Sequence, residues 1–234
     1  MNAAHDFLSG NPFLLGARPE TISRLSEHAA EHSASRGQTL YKPEENWPYM
    51  GVLVDGVLGM FAEGGNRDYL YQEIEPGEFF GVSGMFDARD TMARIVVLSK
   101  TARYFAIENA IVRELCDEDP KLAVLLATVL AQRVRGLTSL LSVQVNLPTM
   151  TRMARYLLQH CSDAPGLAPS KGTLPLMTQA QIAAAAGTTK EVAARLIRTL
   201  EEASALRREH GHIRYLDRDR ITVFATTNSH RPST

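Results

Sequence analysis

Residues 19–33, PETISRLSEHAAEHS, put Ile22, Leu25 and Ala29 on one helical face, with Pro19 where a first turn tolerates it. The spacing predicts a short amphipathic helix. Beyond Ser35 the period shortens. Tyr49–Val54, Val57–Ala62, Tyr69–Ile74, Arg94–Ser99 and Ala102–Ile107 read as strands, with turns at Asp55-Gly56, Gly64-Gly65-Asn66 and Pro76-Gly77. Asp-Gly between two apolar runs predicts a hairpin, in which Val57–Ala62 pairs with Tyr49–Val54. Many short strands at this spacing predict a small antiparallel barrel or jelly roll.

From Asn109 the period becomes helical. Ala110–Cys116 is a short helix, punctuated by Asp119-Pro120, and Lys121–Leu147 is the longest helix of the chain. Leu126, Val129, Arg133, Gly136, Leu140, Val143 and Leu147 alternate at spacings of three and four, a heptad seam with Arg133 and Gly136 as its polar or small members. A second stripe, Leu130, Val134, Leu137 and Leu141, runs beside it. One stripe can pack on the barrel and the other on a second copy of the helix; a helix covered on both sides within one chain is the alternative. The first stripe is taken as the dimer interface. Pro148 interrupts the helix, because its ring clashes with the preceding turn. Thr149–Gln159 restarts it with Met153, Ala154, Leu157 and Leu158 inward, so Pro148 is the expected hinge. Residues 162–175 read as a turn-rich loop, and those from Thr227 as a frayed tail.

Residues 178–204 read TQAQIAAAAGTTKEVAARLIRTLEEAS. Thr178 with Gln181 and Thr188 with Glu191 form two capping boxes, each opening a helix, and Gly187 permits the turn between them. Two short helices on a glycine turn make a helix-turn-helix. On the second helix Ala193, Leu196, Ile197 and Leu200 face inward, while Lys190, Glu191, Ala194, Arg195 and Arg198 face out. An Arg grips guanine O6 and N7 through two hydrogen bonds, and a carboxylate accepts from cytosine N4. Lys190, Glu191 and Arg195 are therefore the candidate base readers. Thr178, Thr189, Arg198 and His212 are the candidate phosphate contacts. Residues 206–216 follow as a β-hairpin turning near Gly211, which makes the unit a winged helix. The plainer alternative has Glu191 only capping its helix, with Arg195 and Arg198 paired to Glu191, Glu201 or Glu202.

Charge favours the first reading. The whole chain has a net charge of −1, but residues 1–148 carry −6 and residues 149–234 carry +5. An acidic front and a basic back suggest two modules, the second facing a polyanion. Apolar residues at 44% and charged residues at 22% suit a globular fold and exclude a disordered chain. No run approaches the ~20 continuous apolar residues of a membrane span. The first residues lack the basic and apolar regions of a secretory leader, so a cytoplasmic home is expected. Two cysteines, Cys116 and Cys161, are too few for a disulfide framework.

Three stretches together resemble the CRP/FNR family of bacterial transcription regulators. Gly77–Phe86, GEFFGVSGMF, is similar to the family's effector cassette, Leu130–Val134 to its dimer helix, and Thr178–Leu200 to its DNA-reading unit. The resemblance spans nearly the whole chain. It implies an α+β fold: an N-terminal antiparallel β-roll of the cyclic-nucleotide-binding type (1–118), a dimerisation helix (119–147) and a winged helix-turn-helix (148–234). It implies a homodimer on a palindromic DNA operator, with RNA polymerase as a further partner, no enzymatic activity and no membrane. The family's Arg-Glu and following Arg correspond to Lys190, Glu191 and Arg195. Lysine lacks the planar fork, so its readout should be looser.

The cassette departs from the family. After Gly81, where cAMP-binding members have a ribose-holding Glu, this chain has Val82. The phosphate-binding Arg-Ser pair falls on Met92 and Ala93, or with a shift brings in Arg94 without its Ser; the adenine-contacting Thr-Ser pair falls on Leu137 and Thr138. With Phe80 and Ser83 these residues outline the expected effector pocket. A buried phosphate would be under-paired there, so cAMP binding by the usual mode is not expected. No cofactor is expected, and the effector is left open; control without an effector, or through cysteine oxidation, is an alternative. Two cysteines exclude a four-thiolate iron–sulfur sensor. A cupin-like metalloenzyme needs ligands within the barrel, and residues 34–112 contain no His or Cys. His28 and His32 stand four apart on the first predicted helix, where a solvated face is the simpler reading.

Overall fold

A computed structural model describes residues 3–42, 47–64, 67–87, 93–163, 166, 168, 170–209 and 212–226. The chain forms two compact units: Met1–Ala62 with Gln72–Thr138, and Glu63–Tyr71 with Ser139–Thr234. The turn at Gly65-Asn66, Met92, the wing turn near Gly211 and the tail from Thr227 lie outside the described residues.

The first unit opens with α1 (Ala3–Ser9) and α2 (Pro19–Glu27), and α2 buries Ile22 and Leu25 as its pattern requires. The helix expected to reach residue 33 stops at Glu27. Ala30–Ser35 is instead a strand, β1, paired in register from Ala30↔Ala106 to Ser35↔Thr101 with β8 (Thr101–Glu108). Helix propensity is a weak prior, and a six-residue ladder along a sheet edge outweighs it. His28 and His32 therefore do not share a helical face; His32 stacks on Tyr104 at 5.3 Å between ring centroids.

Two four-stranded sheets make the roll. One has the order β1-β8-β3-β6, with β3 at Tyr49–Asp55 and β6 at Phe79–Phe80. The other has the order β2-β7-β4-β5, with β2 at Thr39–Tyr41, β4 at Leu58–Gly64, β5 at Arg67–Ile74 and β7 at Arg94–Val97. The turn at Asp55-Gly56 is present, with Gly56 at φ +94°, but β3 and β4 do not pair. A Cβ on Gly56 would stand 2.4 Å from Thr101 O, and Ser99 Oγ accepts from Val57 N at 2.9 Å. These contacts carry the chain round a corner into the second sheet, so the turn is a jelly-roll corner and not a hairpin.

Strands β3 and β8 are apolar on both faces because both are covered. Met50, Val52, Phe105 and Ile107 pack with the helices, while Leu53, Tyr104 and Ala106 join Leu58, Ile74, Phe80, Ile95 and Val97 inside the roll. Helix α3 (Val82–Asp87) follows the cassette glycine, α4 (Asn109–Glu118) comes next, and α5 (Pro120–Asn146) begins in this unit and from Ser139 belongs to the second.

Asp119, between α4 and α5, is buried at 2% exposure. Its carboxylate accepts from Arg18 N at 3.0 Å, Thr21 Oγ1 at 3.0 Å and Lys121 N at 3.3 Å. The Arg18 N–H chiefly, against burial and with help from Thr21 and Lys121, holds its pKa below the usual carboxylate value. A depressed folded-state pKa adds stability that is complete above the unfolded value of about 4 and is lost as pH falls through the folded one. Asp119→Asn is expected to cost about 1–3 kcal/mol at neutral pH and to flatten the acid limb of Tm against pH. Thermal melts from pH 3 to 7 check both; an unchanged acid limb would rule Asp119 out as its source.

The second unit contains α6 (Thr149–Gln159), α7 (Gln179–Ala185), α8 (Lys190–Glu202) and α9 (Arg218–Thr226). Its sheet has the order β11-β12-β10-β9, with β9 at Ser162–Asp163, β10 at Lys171–Thr173, β11 at Leu206–Glu209 and β12 at His212–Asp217. The expected loop at 162–175 thus contributes two strands. Gly172 allows them: a Cβ there would stand 2.3 Å from Cys161 Sγ. Met153, Ala154 and Leu157 of α6, Ile182 of α7, Ile197 and Leu200 of α8 and Ile221 of α9 share the core.

Candidate nucleic-acid interface

The two helices form where their caps dictate. Thr178 Oγ1 accepts from Gln181 N at 3.1 Å and opens α7, but Gln181 Nε2 turns away to Tyr156 Oη at 3.2 Å, so only half of the expected box exists. Gly187, at φ +61°, makes the turn. The cap of α8 is Thr189, whose Oγ1 accepts from Val192 N at 3.4 Å. This corrects the expectation of Thr188, which is buried and donates its N–H to Ala183 O at 2.9 Å within the turn.

Ala193, Ile197 and Leu200 are buried, and Lys190, Glu191, Arg195 and Arg198 are exposed on the other side of α8. Glu191 lies in the first turn of α8. Its own backbone N–H, then the Thr189 hydroxyl, lower its pKa, with Lys190 adding charge. Thr189, expected as a phosphate contact, is half-buried and caps the helix. Glu201, one candidate partner for the arginines of α8, is engaged by both Arg208 Nε and Nη2 from β11. Among the described residues neither Arg195 nor Arg198 has an ion-pair partner, and both guanidinium groups face solvent. Thr178 is exposed, and so is His212, which pairs with Glu209 at the end of the wing ladder. Arg207 lies over the Tyr215 ring at 4.3 Å.

The sequence reading missed Arg152. From the first turn of α6 its Nε donates to Ala186 O at 2.8 Å and its Nη1 to Leu147 O at 2.5 Å and Gln144 O at 3.2 Å. Burial, then the charge of Arg67, pull its pKa below the ordinary arginine value. Nothing in the sequence marks this arginine, because its acceptors are backbone carbonyls of two separate stretches, the end of α5 and the turn after α7.

Residues 151–223 match the family model of the Crp-like helix-turn-helix domain. The cAMP-activated global transcriptional regulator Vfr of Pseudomonas aeruginosa is 25% identical over 188 residues, 77% of this chain and 86% of that protein. A putative CRP/FNR-family regulator from Eubacterium rectale superposes with a TM-score of 0.78 at 15% identity, covering 92% of this chain and 98% of that one. The c-di-GMP-responsive global regulator CLP of Xanthomonas campestris gives 0.71 at 18% identity, covering 84% and 98%. The chain thus carries a Crp-like helix-turn-helix domain, and over most of its length it is similar to transcriptional regulators of the CRP/FNR type.

The stretch that resembles the family's effector cassette is packed with its own side chains. Phe80, Val82 and Ala93 are buried, and the Phe80 ring lies so close over Gly51 that a Cβ there would stand 2.1 Å from it. Tyr41, Trp47, Tyr49 and Tyr104 complete an aromatic cluster round Phe80, and Trp47 Nε1 is buried there with no hydrogen-bond partner among the described residues. Gly81, at φ +75°, passes beneath Tyr49 O. Ser83 is exposed, Arg94 lies over the Phe61 ring at 5.2 Å, and Thr138 donates to Val134 O of its own helix at 3.0 Å. Of the described residues expected to line the pocket, Phe80, Val82 and Ala93 are thus buried, and Ser83, Leu137 and Thr138 exposed. Cys116 is also quiet chemically: burial, then Asp117 and Asp119, push its thiol pKa up to about 11.

Helix α5 turns the first part of the expected seam inward. Leu126 and Val129 are buried in the core of the first unit. Arg133 turns into the roll, where Nη1 donates to Gln72 Oε1 at 3.3 Å and contacts Met60 Sδ, and Nη2 donates to Phe79 O. Gly136 is exposed, and Leu140 and Val143 are half-buried. The bare apolar stripe is the neighbouring one: Val134 at 61% exposure, Leu137 at 40%, Leu141 at 64% and Val145 at 79%.

Proposed function

We propose that this chain is a homodimeric, sequence-specific DNA-binding regulator whose α8 reads base edges in the major groove. The observation that carries the reading is the outer face of α8. Lys190, Glu191, Arg195 and Arg198 all face solvent along it, and among the described residues neither Arg195 nor Arg198 is held in an ion pair. The working division is a sensor roll over 1–118, a dimerisation helix over 119–147 and a DNA-binding unit over 148–234, with Pro148 as hinge. Double-stranded DNA, a second copy and RNA polymerase are its partners, the cytoplasm its location, and binding rather than catalysis its activity.

The second copy sits on the Val134, Leu137, Leu141 and Val145 stripe. By length and composition alone α5 could cross a membrane, at a mean hydropathy of 1.3. A seam between two copies accounts for the same apolar residues and leaves Gln132, Arg135, Ser139 and Ser142 in water. Two α8 helices then enter successive major grooves about 34 Å apart, and each half-site contains a G·C pair.

The roll does not take cAMP in the family's usual way. Val82 stands where a carboxylate would hold the ribose, and Phe80 and its aromatic neighbours occupy the interior. The same packing favours a second reading, in which the roll is a structural core and the regulator acts without a small-molecule effector.

Selection of bound duplexes from random DNA tests both claims. Wild-type protein is expected to enrich one palindrome, the same with and without cAMP. Enrichment of no sequence would overturn DNA reading, and enrichment that requires cAMP would overturn the account of the roll.

A further inference from the structure

Carbonyls that end a helix have no partner within it. In the turn between α7 and α8 such groups are met from outside. Gln144 Nε2 lies 3.5 Å from Ala185 O, Arg152 Nε 2.8 Å from Ala186 O and Arg67 Nη1 3.3 Å from Gly187 O. The packing here is close, since a Cβ on Gly187 would stand 2.3 Å from Gln144 Oε1.

Arg152 does more than cap this turn. Pro148 ends α5 and leaves its last carbonyls open as well. The same guanidinium donates to two of them, Gln144 O and Leu147 O, and its Nη2 reaches Thr149 Oγ1 at 3.3 Å. One planar group with a fixed fork of donors thus joins the last turn of α5, the Pro148 junction and the turn that launches α8. Lysine, a point charge on a flexible stem, cannot match that geometry.

We propose that Arg152 is a positioning residue: it fixes the angle of α8 against the end of α5 and so sets the half-site spacing that the dimer accepts. The proposal rests on the DNA-reading dimer argued above. Helix α8 begins at Lys190, four residues beyond the carbonyl that Arg152 holds, so a tilt at that turn carries directly into the reading face. Each base pair added between half-sites shifts the second by about 3.4 Å and turns it by roughly 35°. A stiff joint rejects that displacement, and a loosened joint absorbs it.

The test measures binding of the full-length protein to a single half-site and to palindromes whose spacers differ by one base pair. Wild type, Arg152→Gln and Arg152→Lys are compared, with thermal melts alongside. Wild type is expected to lose about tenfold in affinity for each one-pair change, and Arg152→Gln only about threefold, with its half-site base preference intact. Arg152→Lys is expected to fall between, and it decides the question if Arg152→Gln does not fold. A wild-type spacer profile in the folded variants overturns the positioning role. So does an equal loss at every spacing and on the half-site, which marks Arg152 as structural only. Wild type that cannot tell operator from random duplex overturns the DNA-reading dimer itself, and the proposal with it.

Discussion

Arg195→Ala protein is expected to bind its operator about 1–3 kcal/mol more weakly while holding random duplex nearly as well as wild type. Arg195 is exposed on α8 one turn beyond Glu191, and no carboxylate of the described residues holds it. Its guanidinium is therefore free to form two hydrogen bonds to guanine, and no buried ion pair has to break first. The loss should appear at one position of each half-site, where the selected sequence relaxes from G·C to any pair. Glu191→Ala should relax a different position, because its carboxylate accepts where Arg195 donates. Arg198→Ala, the expected phosphate contact on the same helix, provides the contrast. A phosphate contact weakens all duplexes alike and lowers the slope of log affinity against log salt by about one. Selection from random DNA, followed by titration at several salt concentrations, separates the cases. An equal loss for Arg195→Ala on operator and random DNA would mean that it touches only phosphate.

The reading unit was legible because its determinants are local. Thr178 caps α7, a threonine caps α8 and Gly187 turns between them within a dozen residues, and the apolar positions of α8 keep the helical period. Even there the register slipped by one, since a sequence with two adjacent threonines does not say which is buried. The strands β3, β4, β5, β7 and β8 were legible from their apolar runs. The short strands were not. Residues 30–35 bury only Ala34, and 162–163 bury nothing, so their pairing with β8 and β10 is decided by the partner and not by their own pattern. Likewise, Asp55-Gly56 announces a reversal of the chain but cannot say that the strand beyond it joins the other sheet. Arg133 is defined by acceptors 54 to 73 residues away, and Arg152 by one 34 residues away besides those at the end of α5, spans that no short window along the chain contains.

The two stripes of α5 pose the same problem in sharper form, and substitution distinguishes them. A helix with neighbouring apolar stripes can turn either one to its own core, and the pattern alone ranks them equally. The roll takes the stripe of Leu126 and Val129, leaving Val134, Leu137, Leu141 and Val145 bare. If that bare stripe is the seam, Leu141→Lys puts a charge on both copies of the interface and removes two buried leucines per dimer. Burying a leucine contributes about 1.5–3 kcal/mol, so the dimer should weaken by about 3–6 kcal/mol, or roughly 10²–10⁴-fold in Kd. The monomer should melt as before, because Leu141 is exposed in it. Leu126→Ala should do the reverse: a cavity in the core costs about 2–5 kcal/mol of folding stability, with little change in the association of what remains folded. Sedimentation over a concentration series, paired with thermal melts, reads both quantities. Operator binding should follow the first and not the second, since one copy reaches only one half-site. A Leu141→Lys protein that stays dimeric with wild-type affinity would mean that another surface joins the copies.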